Sequence, residues 1–351
     1  MKKMKFIKTS LVLVILLFPF FNIIADNNQT IEITESLKNI LKEYDTVVPL
    51  DNGYIRVSKG QKQGLLDSNG KEILELKYSH IGNFSNGLAL VNKDLQYGYI
   101  NLLGEEVIPC AYEYAADFKD ELALVYDGED LRYINADGDV VFTCKYDDSK
   151  SFSCGLARVK HQGLNGYVNK KGELVIPLNY EWASDFKENL AIVYKNKEFM
   201  IINNLGEIIK TLNYEDVADF SNGLARVEKD GKYGYINTNG EEVIPCQYSS
   251  AESFVDGVAV IKKDKKCGLI NTNGEILFLG DFNVIKEIGN GMAVVVNGFY
   301  HGFINLKGDV VIPCKYPIAG GFCKAGVAMV VDENFNGGLV DKNGNETFLQ
   351  R

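Results

Sequence analysis

A glycine that ends a short Asn/Asp-x-x-Gly turn recurs along most of the chain, and its spacing is the strongest constraint on the fold. Eight of these glycines follow one another at intervals of 34 residues, and a ninth, Gly344, comes two residues late. The eight are Gly70, Gly104, Gly138, Gly172, Gly206, Gly240, Gly274 and Gly308. A fixed period of this length indicates tandem units that bury their hydrophobic faces only by stacking on their neighbours.

The residues inside each unit predict strands rather than helices. In one unit, residues 224–227 and 233–237 read as strands on either side of an Asp-Gly turn, a pair that tolerates the positive φ of hairpins. Residues 241–244 form a third strand that ends at Pro245. No stretch of helical spacing free of Gly or Pro interrupts this pattern. Each unit is therefore a three-stranded antiparallel meander, and the connection that follows could supply a fourth, outer strand.

The sequence predicts an all-β fold of nine such units, from Tyr44 to the C-terminus. Because the strands carry apolar residues on both faces, the sheets must stack on one another. We expect three- to four-stranded units that form a propeller-like array with one unit per blade. An open superhelical β-solenoid remains the alternative, since nine units exceed the usual 4–8 blades of a closed ring.

The first 43 residues precede the array and divide into two segments. Residues 1–25 carry four lysines and then an apolar run that ends at Ala25, which is typical of a secretory signal peptide. An uncleaved anchor is the alternative, but Pro19 interrupts the run and it is short for a membrane span. Residues 26–43 are expected to form a linker or a short capping helix, with Thr34 as its N-cap.

The unit sequence resembles the WG-repeat family, which is also described by a Lys-Trp-Gly signature. Residues 231–245 and 97–109 follow the family pattern of an aromatic residue, Gly-Tyr-Ile-Asn, a turn and Val-Ile-Pro. The signature Trp is absent, and Tyr97 and Tyr233 take its place in these two units. The resemblance implies a secreted or cell-envelope repeat protein that serves as a binding scaffold. It defines no catalytic residues.

The charge balance argues against nucleic acid as a partner. The chain has 37 Lys and Arg against 47 Asp and Glu, a net charge of −10, and without residues 1–25 the net charge is −14. Nucleic-acid binding needs a basic face that displaces counterions. The three histidines, His80, His161 and His301, lie at three different repeat positions, so they do not converge on a metal. We expect no cofactor, no metal and no stable membrane insertion after signal cleavage.

Seven cysteines allow two candidate disulfides in a secreted chain. Cys144 and Cys154 flank one connection between units, and Cys314 and Cys323 flank another. The alternative is that all of these residues are buried free thiols, since cysteine is among the most buried residue types.

The sequence favours a non-catalytic scaffold that binds a protein or a polysaccharide outside the cytoplasm. Tyr97 and Tyr233 are the candidate binding residues, because rings at a repeated position can each supply a modest contact. The alternative is a propeller-type enzyme that acts on envelope polysaccharide. An enzyme should concentrate its carboxylates in a few units, whereas the acids here are spread along the array.

We expect export to remove about 25 residues, because the apolar run is too short to span a membrane and ends in a small residue. Intact-mass measurement of the exported protein checks this. A full-length product that stays in the membrane would contradict it.

Overall fold

The computed structural model describes residues 29–349, and these residues form one short helix and nine four-stranded antiparallel sheets. The predicted all-β array of nine units is confirmed, and the sheets are arranged as the blades of a nine-bladed β-propeller. The predicted signal peptide, residues 1–25, lies outside the described residues.

The helix and the first three blades come from the N-terminal part of the chain. Helix α1 spans Glu35–Leu41, with Thr34 as its N-cap. Blade 1 comprises β1 (Thr46–Pro49), β2 (Ile55–Lys59), β3 (Lys62–Leu66) and β4 (Glu72–Tyr78). Blade 2 comprises β5 (His80–Ser85), β6 (Leu88–Lys93), β7 (Gln96–Asn101) and β8 (Glu106–Tyr112). Blade 3 comprises β9 (Tyr114–Ala115), β10 (Ala123–Tyr126), β11 (Leu131–Ile134) and β12 (Val140–Thr143).

The next three blades repeat this order. Blade 4 comprises β13 (Asp148–Ser149), β14 (Leu156–His161), β15 (Leu164–Asn169) and β16 (Leu174–Tyr180). Blade 5 comprises β17 (Trp182–Ala183), β18 (Leu190–Lys195), β19 (Glu198–Asn203) and β20 (Ile208–Leu212). Blade 6 comprises β21 (Asp216–Ser221), β22 (Leu224–Lys229), β23 (Lys232–Asn237) and β24 (Glu242–Tyr248).

The last three blades complete the ring. Blade 7 comprises β25 (Ser250–Ala251), β26 (Val258–Lys263), β27 (Lys266–Asn271) and β28 (Ile276–Gly280). Blade 8 comprises β29 (Val284–Gly289), β30 (Met292–Asn297), β31 (Tyr300–Asn305) and β32 (Val310–Tyr316). Blade 9 comprises β33 (Ile318–Ala319), β34 (Val327–Val331), β35 (Gly337–Asp341) and β36 (Glu346–Phe348).

The connection between units supplies the first strand of the following blade, on the inner side of the ring. The sequence analysis placed a fourth, outer strand there, and that placement is wrong. The segments that follow the first strands of neighbouring blades bond to each other, as where the amide of Gly155 donates to Asp120 and the hydroxyl of Ser153 donates to the carbonyl of Phe186. Small residues such as Ala115 and Ala183 lie on these strands and are buried. The blades therefore converge on their first strands, and the fourth strands form the circumference.

The turn glycines between the third and fourth strands of blades 2 to 8 each face the fourth strand of the preceding blade. These glycines have φ between +74° and +91°, a region that other residues rarely adopt. A Cβ on Gly206 would lie 3.2 Å from Cγ1 of Ile176, and one on Gly172 would lie 2.7 Å from the ring of Phe142. Ile176 is on β16 of blade 4 and Phe142 is on β12 of blade 3. The glycine thus serves both the turn and the contact between blades.

A second glycine, in the third strand, makes room for a bulge in the fourth strand. The fourth strands of blades 1, 2, 4, 6 and 8 each carry two register shifts. In blade 6, a Cβ on Gly234 would lie 2.5 Å from the carbonyl oxygen of Ile244. In the last four of these blades the bulge contains a proline, and the prolines follow one another at 68-residue intervals as Pro109, Pro177, Pro245 and Pro313. Arg132 and Met200 replace the glycine in blades 3 and 5, where only one shift occurs.

The hydrophobic core consists of layers between adjacent blades. The layer between blades 2 and 3 is typical and contains the buried side chains of Tyr99, Ile108 and Phe118. The Tyr99 hydroxyl donates to the carbonyl of Ala116 at 2.7 Å, and Tyr167 and Tyr235 make the equivalent bonds in two other layers. These bonds satisfy a polar atom that burial would otherwise penalise, and they tie blades 2, 4 and 6 to the blades that follow them.

Helix α1 seals the seam between blades 9 and 1. Leu37 and Leu41 are fully buried in a layer that also contains Val57 of blade 1 and Leu339 of blade 9. Gly70, the turn glycine of blade 1, faces the side chain of Ile40 on the helix rather than a preceding fourth strand. Within residues 29–349, no helix is long and apolar enough to cross a membrane.

Changing Leu37 to Ala should open the seam, because it leaves a cavity where blades 1 and 9 meet. Truncation of a buried leucine typically costs about 2–5 kcal/mol. The urea midpoint of the purified protein measures the effect. Ser36→Ala, at an exposed position of the same helix, should leave the midpoint almost unchanged, and equal midpoints for both variants would show that the helix is not needed for closure.

Changing Gly234 to Ala should destabilise the protein by about 1–3 kcal/mol, because the added methyl group collides with the bulge. Gly337→Ala is the matched control, since its Cβ meets nothing closer than 3.9 Å. Thermal unfolding of the two variants separates steric conflict from the general effect of removing a strand glycine. A similar loss in both would exclude the bulge as the cause.

Candidate functional site

One face of the ring carries the links between blades and the turns between second and third strands. We call it the linker face, and its links are residues 78–80, 112–114, 146–148, 180–182, 214–216, 248–250, 282–284 and 316–318. Acids in these links cap the turn of the following blade: Glu181 accepts from the amide of Asn196 at 3.0 Å, and Glu215 accepts from that of Asp230 at 3.2 Å. Some of the acidic residues of the chain therefore stabilise turns of the fold.

Blade 5 presents a ladder of three aromatic rings at the linker face. Trp182 pairs with Tyr194 across β17 and β18, and Tyr194 pairs with Phe199 across β18 and β19. The ring centroids of Tyr194 and Phe199 are 4.8 Å apart, and those of Trp182 and Phe199 are 6.4 Å apart. The Trp182 side chain remains 45% exposed, so the ladder ends in an accessible indole.

Among the nine blades of residues 29–349, blade 5 alone has rings at all three positions. Blade 3 has two, Tyr114 and Tyr126, followed by a leucine. Blades 2 and 6 each keep one ring, at Tyr97 and Tyr233. This asymmetry within a repeated framework distinguishes the blade 5 ladder from the structural aromatic residues.

The ladder forms one wall of a cleft of about 430 Å³ between blades 5 and 6. The blade 5–6 cleft is lined by Trp182, Tyr194, Phe199, Glu215, Asp216 and Val217. Asp216 Oδ2 forms an ion pair with Nη2 of Arg226 at 2.8 Å. Glu215 has no ion pair within the part of the chain that the structure describes, so the cleft combines exposed rings with an uncompensated carboxylate.

The two predicted binding residues are not brought together. Tyr97 is on blade 2 and Tyr233 is on blade 6, and both side chains are half-buried against the layers between blades. The Arg226 guanidinium lies over the Tyr233 ring, 5.2 Å from its centroid. A hydrogen bond to Glu228 raises the pKa of the Tyr233 hydroxyl. Tyr233 therefore contributes to the arginine and carboxylate cluster beside the cleft rather than to an open surface.

The sequence did contain a signal for the residues that were missed. Phe199 stands at the same repeat position as Tyr97 and Tyr233, three periods after the first and one before the second. Trp182 is the one tryptophan of the chain, in a segment that sequence reasoning assigned to a connection. Strand pairing brings both residues next to Tyr194, and the linear sequence of one unit does not show which residues pair across strands.

A second cavity, of about 530 Å³, lies at the centre of the ring beside blades 1 to 4. Arg56, His80, Asp117 and Lys119 line it together with smaller residues. Burial lowers the pKa of the Arg56 guanidinium, which donates to the carbonyl of Ile81. Burial and the nearby Arg56 charge lower the pKa of His80, so this imidazole is neutral near pH 7. The lining mixes both signs of charge and has no aromatic wall.

All seven cysteines are free thiols, and neither candidate disulfide is formed. Cys144 packs between blades 3 and 4, whereas Cys154 packs between blades 4 and 5. Cys314 packs between blades 7 and 8, whereas Cys323 packs between blades 9 and 1. The two members of each pair thus lie in different layers, because a β-sheet separates them. Burial raises the pKa of Cys314 and Cys323, which keeps both in the thiol form.

Comparison with known proteins gives one family and a set of distant structures. A family model described as "WG containing repeat" matches eight segments, residues 64–94, 97–129, 132–164, 166–198, 199–233, 233–267, 268–298 and 302–334. None of the curated proteins matches the sequence.

Solved structures with a similar arrangement share little sequence with this chain. A eukaryotic initiation factor is 10% identical, with a TM-score of 0.49 over 88% of this chain and 89% of its own. BamB from Moraxella catarrhalis is 10% identical, with a TM-score of 0.38 over 77% and 91%. The dihydro-heme d1 dehydrogenase NirN is 12% identical, with a TM-score of 0.43 over 92% and 75%.

Proposed function

Because the chain belongs to the family of WG-repeat proteins, we propose that it is a non-catalytic binding scaffold outside the cytoplasm. Its partner is a protein or a polysaccharide of the cell envelope or its surroundings. The N-terminal basic and apolar segment supports the location, since such a segment is typical of a secretory signal peptide. The acidic balance of the chain disfavours nucleic acid as the partner.

The observation that supports this proposal is the three-ring ladder of blade 5. The other eight blades carry at most two rings at these three positions of the linker face, and blade 5 departs from them with three. Exposed aromatic side chains next to a few polar groups are characteristic of binding clefts. The repeated blades form a rigid framework, and the side chains by which blade 5 differs from the other blades bind the partner.

Trp182→Ala should weaken partner capture from envelope extract about 10-fold or more, as expected for a central aromatic contact. Tyr114→Ala is the matched control, because Tyr114 has the same repeat position on blade 3 and is 50% exposed. Quantitative capture with the two variants, at equal amounts of folded protein, makes the comparison. Equal capture by both variants would show that the partner does not bind at blade 5.

A propeller-type enzyme acting on envelope polysaccharide is the second candidate, and Asp219 favours it. Burial raises the pKa of this carboxyl, which lies beside Ser184 and Asp185 near the centre of the ring. A carboxyl with a raised pKa is suited to the role of general acid in glycoside cleavage. Arg158 pairs with Asp185 at 3.1 Å, so a basic group lies beside this second carboxylate.

Incubating the protein with peptidoglycan and envelope polysaccharides tests the enzyme, with new reducing ends as the measurement. The scaffold proposal expects no release above background. Release that Asp219→Asn abolishes, while the same variant keeps its thermal stability, would replace the scaffold with the enzyme.

A further inference from the structure

The rings of the blade 5–6 cleft meet at steep angles. The planes of Trp182 and Phe199 are 82° apart, and those of Tyr194 and Phe199 are 55° apart. A sugar ring stacks best on one flat platform, whereas a cation gains from ring faces that meet it from several directions. The geometry of the ladder therefore matches an aromatic cage better than a stacking platform.

The charged residues that line the cleft also favour a cation as its ligand. Two carboxylates, Glu215 and Asp216, line the cleft together with the rings, and the basic group next to them, Arg226, is paired with Asp216. Lys195 follows Tyr194 in β18, but its ammonium bonds to Asn179 at 2.6 Å on the side of blade 4. With a chain charge of −10, the surroundings also attract cations. The Glu215 carboxylate remains available to a cation that enters the cleft.

The apolar walls select the kind of cation. A primary ammonium carries three N–H donors and a strong hydration shell, so it needs several acceptors when it leaves water. Three rings and Val217 are four of the six lining residues, and the side-chain acceptors are confined to the Tyr194 hydroxyl and the two carboxylates, of which Asp216 is already paired with Arg226. A methylated ammonium has no N–H donors to satisfy, and its methyl groups pack against ring faces while its charge interacts with them.

We propose that the blade 5–6 cleft is a binding site for a trimethylammonium group carried without an adjacent anion, as in choline. The proposal rests on the proposed function, since it names the chemical group that the scaffold recognises. A neighbouring phosphate or carboxylate, as in phosphocholine or glycine betaine, would be repelled by Glu215 and Asp216. The same cleft thus discriminates between free and phosphate-linked forms of the cation.

Trp182 makes the test direct, because it is the one tryptophan of the chain and lies in the cleft. Titration of the purified protein with choline chloride, at constant ionic strength, should change its fluorescence in a saturable way. The uncharged isostere 3,3-dimethylbutan-1-ol and phosphocholine should each bind at least about 10-fold more weakly, since one lacks the charge and the other adds an anion.

A pair of glutamate variants assigns the signal to the cleft. Glu215→Gln should raise the dissociation constant for choline about 5-fold, because it removes the unpaired charge and keeps a turn-capping oxygen. Glu181→Gln is the matched control: Glu181 has the same repeat position in blade 5 and caps its turn in the same way, but does not line the cleft. The control should bind choline like the parent protein.

Three results would overturn the proposal. One is equal binding of choline and its uncharged isostere, another is the absence of saturation with choline, and the third is equal binding of methylamine, which would assign the cleft to primary amines such as lysine side chains. These outcomes are distinguishable from a failure of the scaffold proposal. If choline does not bind but Trp182→Ala still loses partner capture, the cleft remains the binding site and the trimethylammonium assignment alone is wrong.

Discussion

In blades 2 to 8, the contact between the turn glycine and the fourth strand of the preceding blade sets how closely neighbouring blades pack. The turn needs a positive φ, and the neighbouring strand leaves no space for a side chain, so one residue type satisfies both demands. Gly206 against Ile176 is a typical case. Since each of the seven layers from blade 1 to blade 8 contains such a contact, a regular interval between these glycines imposes a regular interval between these blades. The helix takes over this role at the seam, where Gly70 meets Ile40.

Much of the fold could be predicted from the sequence, because its determinants are local and repeated. The interval of the turn glycines, the Asp-Gly hairpins and the strand-ending prolines gave nine antiparallel units and their order. Closure depends on residues distant along the chain, as where the amide of Ile31 donates to the carbonyl of Ala325. The inner position of the first strand was also missed. That position depends on contacts with neighbouring blades, and the sequence of a single unit does not show those contacts.

The candidate site was harder to predict, because recognition arises where a unit departs from the repeat. Tyr97 and Tyr233 were chosen for their shared position, yet they lie on different blades and are half-buried. Trp182 and Phe199 come together with Tyr194 through strand pairing, although 17 residues separate the first two in sequence. Glu215 joins them from the next blade. The residues of the site come from two units, so the site forms only where blades 5 and 6 meet and cannot be recognised in either unit alone.

The bulged fourth strands have a consequence for the number of blades. From blade 2 onward, blades whose fourth strand has two register shifts alternate with blades that have one shift or none, and the prolines of the doubly shifted strands mark a unit of two blades. An alternating pattern closes on itself without a mismatch only in rings of even number. A ring of nine must therefore place two blades of one kind side by side, and here blades 1 and 2 are both bulged, next to the helix-sealed seam. Parity thus requires one such pair of like blades, which lies here one blade away from the seam, and the array can gain or lose pairs of blades without moving it.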